Sequence, residues 1–83
     1  MKLTAELSLY PVQENYIAVI EAFIATLREH PDLKVVTNAM STQVCGDYEQ
    51  VFALVSQTLA ASTRQFGKQV LVVKLLGILV HLH

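Results

Sequence analysis

Cysteine is almost absent from the sequence, with Cys45 as the single one among 83 residues. One cysteine excludes an internal disulfide, and with it the class of small secreted domains that disulfides hold together. The first residues also include no apolar segment of the kind that signal peptides contain. Both observations favour a reducing compartment, and we expect a cytoplasmic protein.

Charged residues are scarce as well, at 16% of the chain, whereas soluble domains usually contain about 25%. Six Lys and Arg stand against seven Asp and Glu, which gives a formal net charge of −1. Proteins that bind nucleic acids cluster Lys and Arg to neutralise phosphates. The sequence contains no such cluster, and we expect no nucleic-acid partner.

A long uninterrupted apolar run is also missing. The longest candidate, residues 69–82, is interrupted by Lys74, Gly77 and His81, whereas a membrane-spanning helix needs about 20 predominantly apolar residues. We therefore expect no membrane insertion. Yet 53% of the residues are hydrophobic, which is more than the core of so short a chain easily buries. The excess predicts a buried subunit interface or an apolar ligand pocket.

No linker rich in Pro, Gly or Ser divides the chain, so we expect one domain over residues 1–83. Its core is predicted to span roughly residues 2–77, with residues 78–83 as an extension of the last strand or a tail. The first element is a strand over residues 2–10, because apolar and polar residues alternate there. Its apolar face comprises Leu3, Ala5, Leu7 and Leu9.

Helical periodicity follows in residues 15–29, where apolar residues recur at steps of three and four. Its predicted buried stripe comprises Ile17, Ile20, Ile24 and Leu27. A second helix begins at Asp47, which together with Gln50 resembles a capping box, and it ends at Gly67. The predicted buried stripe of this helix comprises Val51, Phe52, Val55, Leu59 and Phe66.

Three further strands complete the pattern, over residues 33–39, 41–45 and 69–76. The third strand ends at Gly46, and the last strand is apolar on nearly both faces. The order β-α-β-β-α-β predicts an α+β fold of the ferredoxin-like βαββαβ type. Right-handed crossovers then place two helices on one face of a four-stranded antiparallel sheet.

The other face of this sheet is left bare, and the fourth strand lies at an edge of the sheet. An exposed apolar face and a long apolar edge strand both invite pairing with another chain. The pattern therefore predicts a homo-oligomer, either a dimer or a tetramer, built through the open sheet face, the fourth-strand edge, or both.

Residues for catalysis or metal binding form no recognisable set. Cys45 has no evident base partner and is interpreted as a small residue inside a strand. His81 and His83 lie two apart, but no third metal ligand accompanies them, and a polar tail is the simpler interpretation. We expect no enzyme, no catalytic residues, no metal and no cofactor.

A small set of polar side chains remains in an otherwise apolar setting. Ser8 and Tyr10 lie near the end of the first strand, and Asn38, Ser41 and Thr42 surround the connection between the second and third strands. Hydroxyl and amide groups of this kind orient a neutral heterocycle without reacting with it. The alternative is that the residues around the connection satisfy the backbone of the turn.

Three segments of the chain resemble the YkoF-type thiamin/hydroxymethylpyrimidine-binding domain family. They are Ser8-Leu9-Tyr10-Pro11, Thr37-Asn38-Ala39-Met40-Ser41-Thr42 and Gly46-Asp47-Tyr48-Glu49-Gln50-Val51-Phe52. The resemblance extends from the first strand to about Gly77. It implies a ferredoxin-like fold that pairs its sheets into dimers or dimers of dimers. It also implies non-catalytic binding of thiamin or its hydroxymethylpyrimidine precursor.

The same resemblance implies a binding site of six residues. Ser8, Asn38, Ser41 and Thr42 would supply hydrogen bonds to the pyrimidine, while Tyr10 and Met40 would lie against the ring faces. The founding members carry two such domains on one chain, whereas this sequence carries one, so two copies would have to associate. The alternative function is a structural or regulatory oligomer that binds another ligand or none.

Overall fold

A computed structural model describes residues 1–39 and 41–78 of the chain. The elements in order are β1 (Lys2–Pro11), α1 (Tyr16–Leu27), β2 (Lys34–Thr37), β3 (Thr42–Asp47), α2 (Tyr48–Phe66) and β4 (Gln69–Ile78). This order confirms the predicted ferredoxin-like α+β fold. The strand β4 continues two residues past its predicted end, and residues 79–83, with His81 and His83, lie outside the described residues.

The four strands form one antiparallel sheet in the spatial order β2-β3-β1-β4. The central strand β1 pairs with β4 along its whole length, from Lys2 opposite Ile78 to Pro11 opposite Gln69. Its ladder with β3 is shorter and runs from Lys2 opposite Asp47 to Leu7 opposite Thr42. Within the described residues, β4 therefore has a neighbour on one side only and lies at an edge, as predicted.

Alternation along β1 separates the two faces of the sheet, because successive side chains of a strand point to opposite sides. Leu3, Ala5 and Leu7 are buried in the core cluster, together with side chains of both helices. The intervening Thr4 and Glu6 point to the open face and are only partly buried. The predicted apolar face of β1 is thus the face that the helices cover.

The buried line of α1 differs from the predicted stripe. It comprises Val19, Phe23 and Leu27, at steps of four residues. Ile17 is 57% exposed, so its prediction as a core residue is wrong. Two residues of α-helix turn by about 200°, which places Ile17 nearly opposite Val19. Ile20 and Ile24 flank the buried line and are half-buried.

The stripe of α2 is shifted in the same way. Its buried residues are Val51, Leu54, Thr58 and Ser62, and Phe52 is 52% exposed, contrary to the prediction. The capping box is also wrong, because Asp47 ends β3 in an extended conformation and makes no side-chain cap. Gln50 instead donates its side-chain amide to the carboxylate of Asp32. This hydrogen bond lowers the pKa of Asp32, with a smaller contribution from a backbone hydrogen bond.

Gly46 lies inside β3 opposite Leu3 and does not end the strand. A Cβ atom at this position would overlap the Leu33 side chain. The absence of a side chain therefore lets Leu33 pack against the strand. Gly67 follows α2 at φ 96°, a conformation that favours glycine, and it ends the helix as predicted.

Candidate functional site

A cavity of about 170 Å³, open on one side, lies where β1 extends beyond the end of its ladder with β3. The β1–β3 ladder ends at the pair Leu7–Thr42, while β1 continues beside β4 to Pro11. The cavity lies between this end of β1, the helix α1 and the β2–β3 connection. Its lining residues are Leu7, Ser8, Leu9, Tyr10, Ile20, Phe23, Ile24, Thr37, Asn38, Ala39, Ser41 and Thr42.

Five of the six residues predicted as a site line this cavity. They are Ser8, Tyr10, Asn38, Ser41 and Thr42. The sixth, Met40, lies outside the described residues. Tyr10 is 57% exposed, whereas Thr42 is only 6% exposed. Residues that are separated by some thirty positions in sequence therefore contribute to one cavity, which has exposed members such as Tyr10 and a buried one in Thr42.

The β2–β3 connection is closed by two hydrogen bonds between the same residues. The backbone N–H of Asn38 donates to the carbonyl oxygen of Ser41 over 3.0 Å. The backbone N–H of Ser41 in turn donates to Oδ1 of Asn38, also over 3.0 Å. Asn38 thus has the turn-stabilising role that the sequence left open as an alternative, and it lines the cavity as well.

A short chain of hydrogen bonds links the surface to the buried wall of the cavity. Nη2 of Arg28, at the end of α1, donates to Oγ1 of Thr37 over 3.2 Å. Oγ1 of Thr37 lies 3.3 Å from Oγ1 of Thr42. The sequence pattern does not predict Arg28 or Thr37 as part of the site, because their contact depends on the tertiary fold, which brings the end of α1 within reach of Thr37.

The remaining wall is apolar. Leu7 and Leu9 from β1 and Ile20, Phe23 and Ile24 from α1 form this part of the lining. Helical periodicity marks such residues as core and does not distinguish a core residue from a pocket wall, so the sequence gives no separate signal for them. An apolar slot with a few hydroxyl and amide groups is typical of sites for small flat ligands.

The volume of the cavity limits the size of the enclosed group. An engineered protein cavity of about 150 Å³ holds one benzene molecule, and this cavity is close to that volume at about 170 Å³. One six-membered ring therefore fits within it, and a larger ligand has to extend through the open side. The described lining residues include no carboxylate, imidazole or thiol.

Cys45 lies on the open face of the sheet and not in the cavity. Its Sγ is 3.2 Å from Oγ1 of Thr4, and the residue is half-buried. Across residues 1–39 and 41–78, no three His, Cys, Asp or Glu side chains come close enough to hold a metal ion. In the same part of the chain, neither helix combines the length and the apolar character needed to cross a membrane.

An open groove of about 300 Å³ lies on the helix side of β4. The α2–β4 groove is lined by Val51, Phe52, Val55, Ser56, Leu59, Leu71, Val73 and Leu75. Ser56 is the one polar residue among these, so the groove lacks the set of polar groups that orients a ligand. Although larger than the cavity at the end of β1, it has the character of an uncovered packing surface.

The fold and the cavity together define a small ferredoxin-like α+β domain with a ligand-sized pocket at one end of its sheet. The chain belongs to the thiamine-binding protein family, whose sequence profile matches residues 5–75. The family resemblance carried by the three sequence segments is thereby confirmed. Comparison with curated protein sequences found no match.

Solved structures share this fold at low sequence identity. The protein SP2199 of Streptococcus pneumoniae superposes with a TM-score of 0.86 at 21% identity, covering 96% of this chain and 90% of its own. A Thermotoga maritima protein named for a suggested role in thiamine biosynthesis or salvage gives 0.81 at 19% identity, with coverages of 90% and 82%. A Bacillus cereus domain of unknown function gives 0.78 at 15% identity, with coverages of 94% and 77%.

Proposed function

We propose that this protein binds thiamin, or its hydroxymethylpyrimidine precursor, in the cavity at the end of β1 and releases it unchanged. The observation that carries the proposal is the convergence of Ser8, Tyr10, Asn38, Ser41 and Thr42 on one cavity of single-ring size. Membership of the thiamine-binding protein family supports it. The name of the Thermotoga maritima relative points to the same vitamin.

The aminopyrimidine ring is the part of thiamin that matches this cavity. Its ring nitrogens accept hydrogen bonds and its amino group donates them, and the hydroxyls of Ser8, Ser41 and Thr42 are able to do both. The side chains of Phe23, Ile20 and Ile24 provide the apolar surface for the ring faces. The proposal includes Met40 through its position between Ala39 and Ser41 in the sequence.

The second ring of thiamin is a cationic thiazolium, and the cavity has no room for it beside the pyrimidine. We assign it to the open side of the cavity, near the exposed ring of Tyr10. The face of a tyrosine ring attracts a cation. In this arrangement the precursor, which lacks the thiazolium, makes the same enclosed contacts as thiamin.

Titration calorimetry with thiamin and with hydroxymethylpyrimidine tests this assignment. We expect saturable binding of both ligands, and mass spectrometry should recover each ligand unaltered. Thr42→Val removes a buried hydroxyl from the wall and should weaken both ligands by about tenfold. Thr63→Val, on an exposed surface of α2, is the matched control and should leave the affinities unchanged.

Three results would contradict the proposal. If the folded protein binds neither ligand, the ligand assignment is wrong. If Thr42→Val and the unaltered protein have equal affinities, the ligand does not bind in this cavity. Recovery of a chemically changed ligand would show turnover and overturn the non-catalytic role.

A cytoplasmic location, which the single cysteine favours, remains part of the proposal and is tested by fractionation of cells.

Homo-oligomerisation through β4 is a further part of the proposal. Val70, Val72 and Leu76 are exposed on the open face of this strand, and Val73 and Leu75 are exposed on its other face. Lys74, the charged residue in this stretch, lies 3.6 Å from the carboxylate of Glu6. A ten-residue apolar strand at a sheet edge is a template for pairing with another chain, and a second copy offers a complementary edge.

The alternative function, a structural or regulatory oligomer with another ligand or none, rests on this same apolar surface of β4. It predicts assembly without binding of thiamin or hydroxymethylpyrimidine. The calorimetric titration of the assembled protein therefore separates the two functions.

A further inference from the structure

Arg28 is connected to the cavity without lining it. Its guanidinium donates to the hydroxyl of Thr37 over 3.2 Å, and this hydroxyl is 3.3 Å from the hydroxyl of Thr42 on the buried wall. Thr37 also lines the cavity itself. The three side chains thus form a relay from a surface cation to a buried hydroxyl, which we call the Arg28 relay.

The chemistry of the guanidinium gives this relay a direction. Arginine has five N–H donors and no acceptor, so Thr37 Oγ1 has to accept in its bond with Arg28. A hydroxyl that accepts from a cation becomes a better donor, because neighbouring hydrogen bonds polarise one another. The favoured arrangement is therefore one in which the Thr37 hydroxyl donates to Thr42 Oγ1.

Thr42 then has its own hydrogen left to donate. Among the described residues, Thr37 is the partner that the structure gives to Thr42 Oγ1. The hydroxyl belongs to a residue that is only 6% exposed and lines the cavity. A buried donor without an acceptor is unfavourable, so a ligand that offers an acceptor at this wall is favoured over one that does not.

We propose that Arg28 is a positioning residue for ligand selection, holding Thr42 as a hydrogen-bond donor so that the cavity selects a flat heterocycle with an unprotonated ring nitrogen. This inference rests on the proposed function. It specifies that the buried wall recognises the edge of the ligand ring that carries an unprotonated nitrogen. The guanidinium does not touch the ligand and acts through Thr37. A protonated ring nitrogen would place its N–H against the donor hydroxyl of Thr42, so the cavity rejects a ligand in that form.

Selectivity between two ligands of the same shape tests this role. One probe is hydroxymethylpyrimidine, and the other is its benzene analogue, in which both ring nitrogens are replaced by C–H. We expect the unaltered protein to bind the pyrimidine about tenfold more tightly. Arg28→Met should reduce this ratio about fivefold, because Thr42 becomes free to donate to Thr37 instead. Arg28→Lys retains a cationic donor and should restore most of the ratio.

The ratio distinguishes positioning from a structural role, since a loosened fold weakens both probes equally. Thr37→Val removes the acceptor to which Thr42 would turn, so unlike Arg28→Met it should leave the ratio nearly unchanged. Arg64→Met, at the end of α2, is the matched control and should leave it unchanged. A normal ratio in Arg28→Met, with the pyrimidine still bound, overturns the inference alone. Absence of pyrimidine binding by the unaltered protein overturns the proposed function and this inference with it.

Discussion

Leu7 of β1 and Thr42 of β3 form the last pair of the ladder between the two central strands, and the cavity begins where this pair ends the ladder. Leu7 belongs to the buried core, and Thr42 carries the innermost hydroxyl of the cavity wall. One antiparallel pair thus joins the core to the candidate site. Because directly opposite residues share a face of the sheet, Leu7 and Thr42 both lie on the face that the helices cover, whereas Ser8 and Tyr10, at alternate positions of β1, belong to the open face.

Replacement of Tyr10 should affect thiamin more than its precursor. Tyr10→Leu removes an exposed aromatic ring at the open side of the cavity, and an exposed cation–π contact is worth roughly 0.5–1 kcal/mol. Calorimetry should give a thiamin affinity about threefold lower, while hydroxymethylpyrimidine affinity stays nearly constant. Tyr16→Leu, an exposed tyrosine at the start of α1, is the control. Equal losses for both ligands would contradict the assignment of the thiazolium to this side.

A charge in the middle of β4 should disrupt the assembly. Val72 lies on the open face opposite Ser8, and Val72→Lys would place an unpaired ammonium group inside the proposed interface, which is costly. Sedimentation velocity should report an apparent dissociation constant at least about tenfold higher. Val12→Lys, at an exposed position after β1, should have no such effect. A monomeric unaltered protein at micromolar concentration would rule out the oligomer itself.

Two glycines, one in each of the strands that flank β1, should respond differently to the same substitution. Gly46→Ala places a methyl group where the Leu33 side chain packs and should lower the free energy of unfolding by about 1–3 kcal/mol. At Gly77 the added Cβ would lie 3.8 Å from Cε2 of Tyr48, an ordinary contact. Urea denaturation should therefore detect little change in Gly77→Ala. A neutral result for Gly46→Ala would indicate that Leu33 repacks without cost.

The contact between Gln50 and Asp32 should make stability depend on pH in acid. The hydrogen bond from Gln50 lowers the pKa of Asp32 from its ordinary value of 3.8. A lowered pKa stabilises the fold above the ordinary value, and this contribution is lost as the pH falls through the lowered pKa. Gln50→Ala should thus destabilise the protein near neutral pH and show a smaller further loss below pH 3.8. Circular dichroism during acid titration measures this difference. If Gln50→Ala and the unaltered protein lose the same amount of stability as the pH falls, the linkage is disproved.

The order of strands and helices could be predicted because the spacing of apolar residues indicates which side of each element is buried. The alternation of Leu3, Ala5 and Leu7 predicts the strand and its covered face, and both are found. The helical stripes are less certain from sequence alone. Ile17 and Phe52 are as apolar as the core residues, and only the packing against the sheet leaves them exposed.

The candidate site likewise has some residues that the sequence predicts and others that depend on the tertiary fold. Ser8, Asn38 and Thr42 stand out in sequence because polar residues follow apolar ones near strand ends, and they line one cavity. Arg28 gives no such signal, since an arginine at a helix end is usually an exposed, solvated side chain. Its link to Thr42 through Thr37 exists only once the tertiary fold has brought the end of α1 within reach of Thr37.

The pairing of β1 with β4 has a consequence for the order of folding. Lys2 lies opposite Ile78 and Tyr10 opposite Val70, so the strand made first is held on one side by the strand made last. Contacts between distant parts of a sequence slow folding, because a long loop has to close before they form. During synthesis, β1 therefore lacks its partner on this side until β4 has left the ribosome, although every described residue that lines the cavity precedes β4 in the sequence.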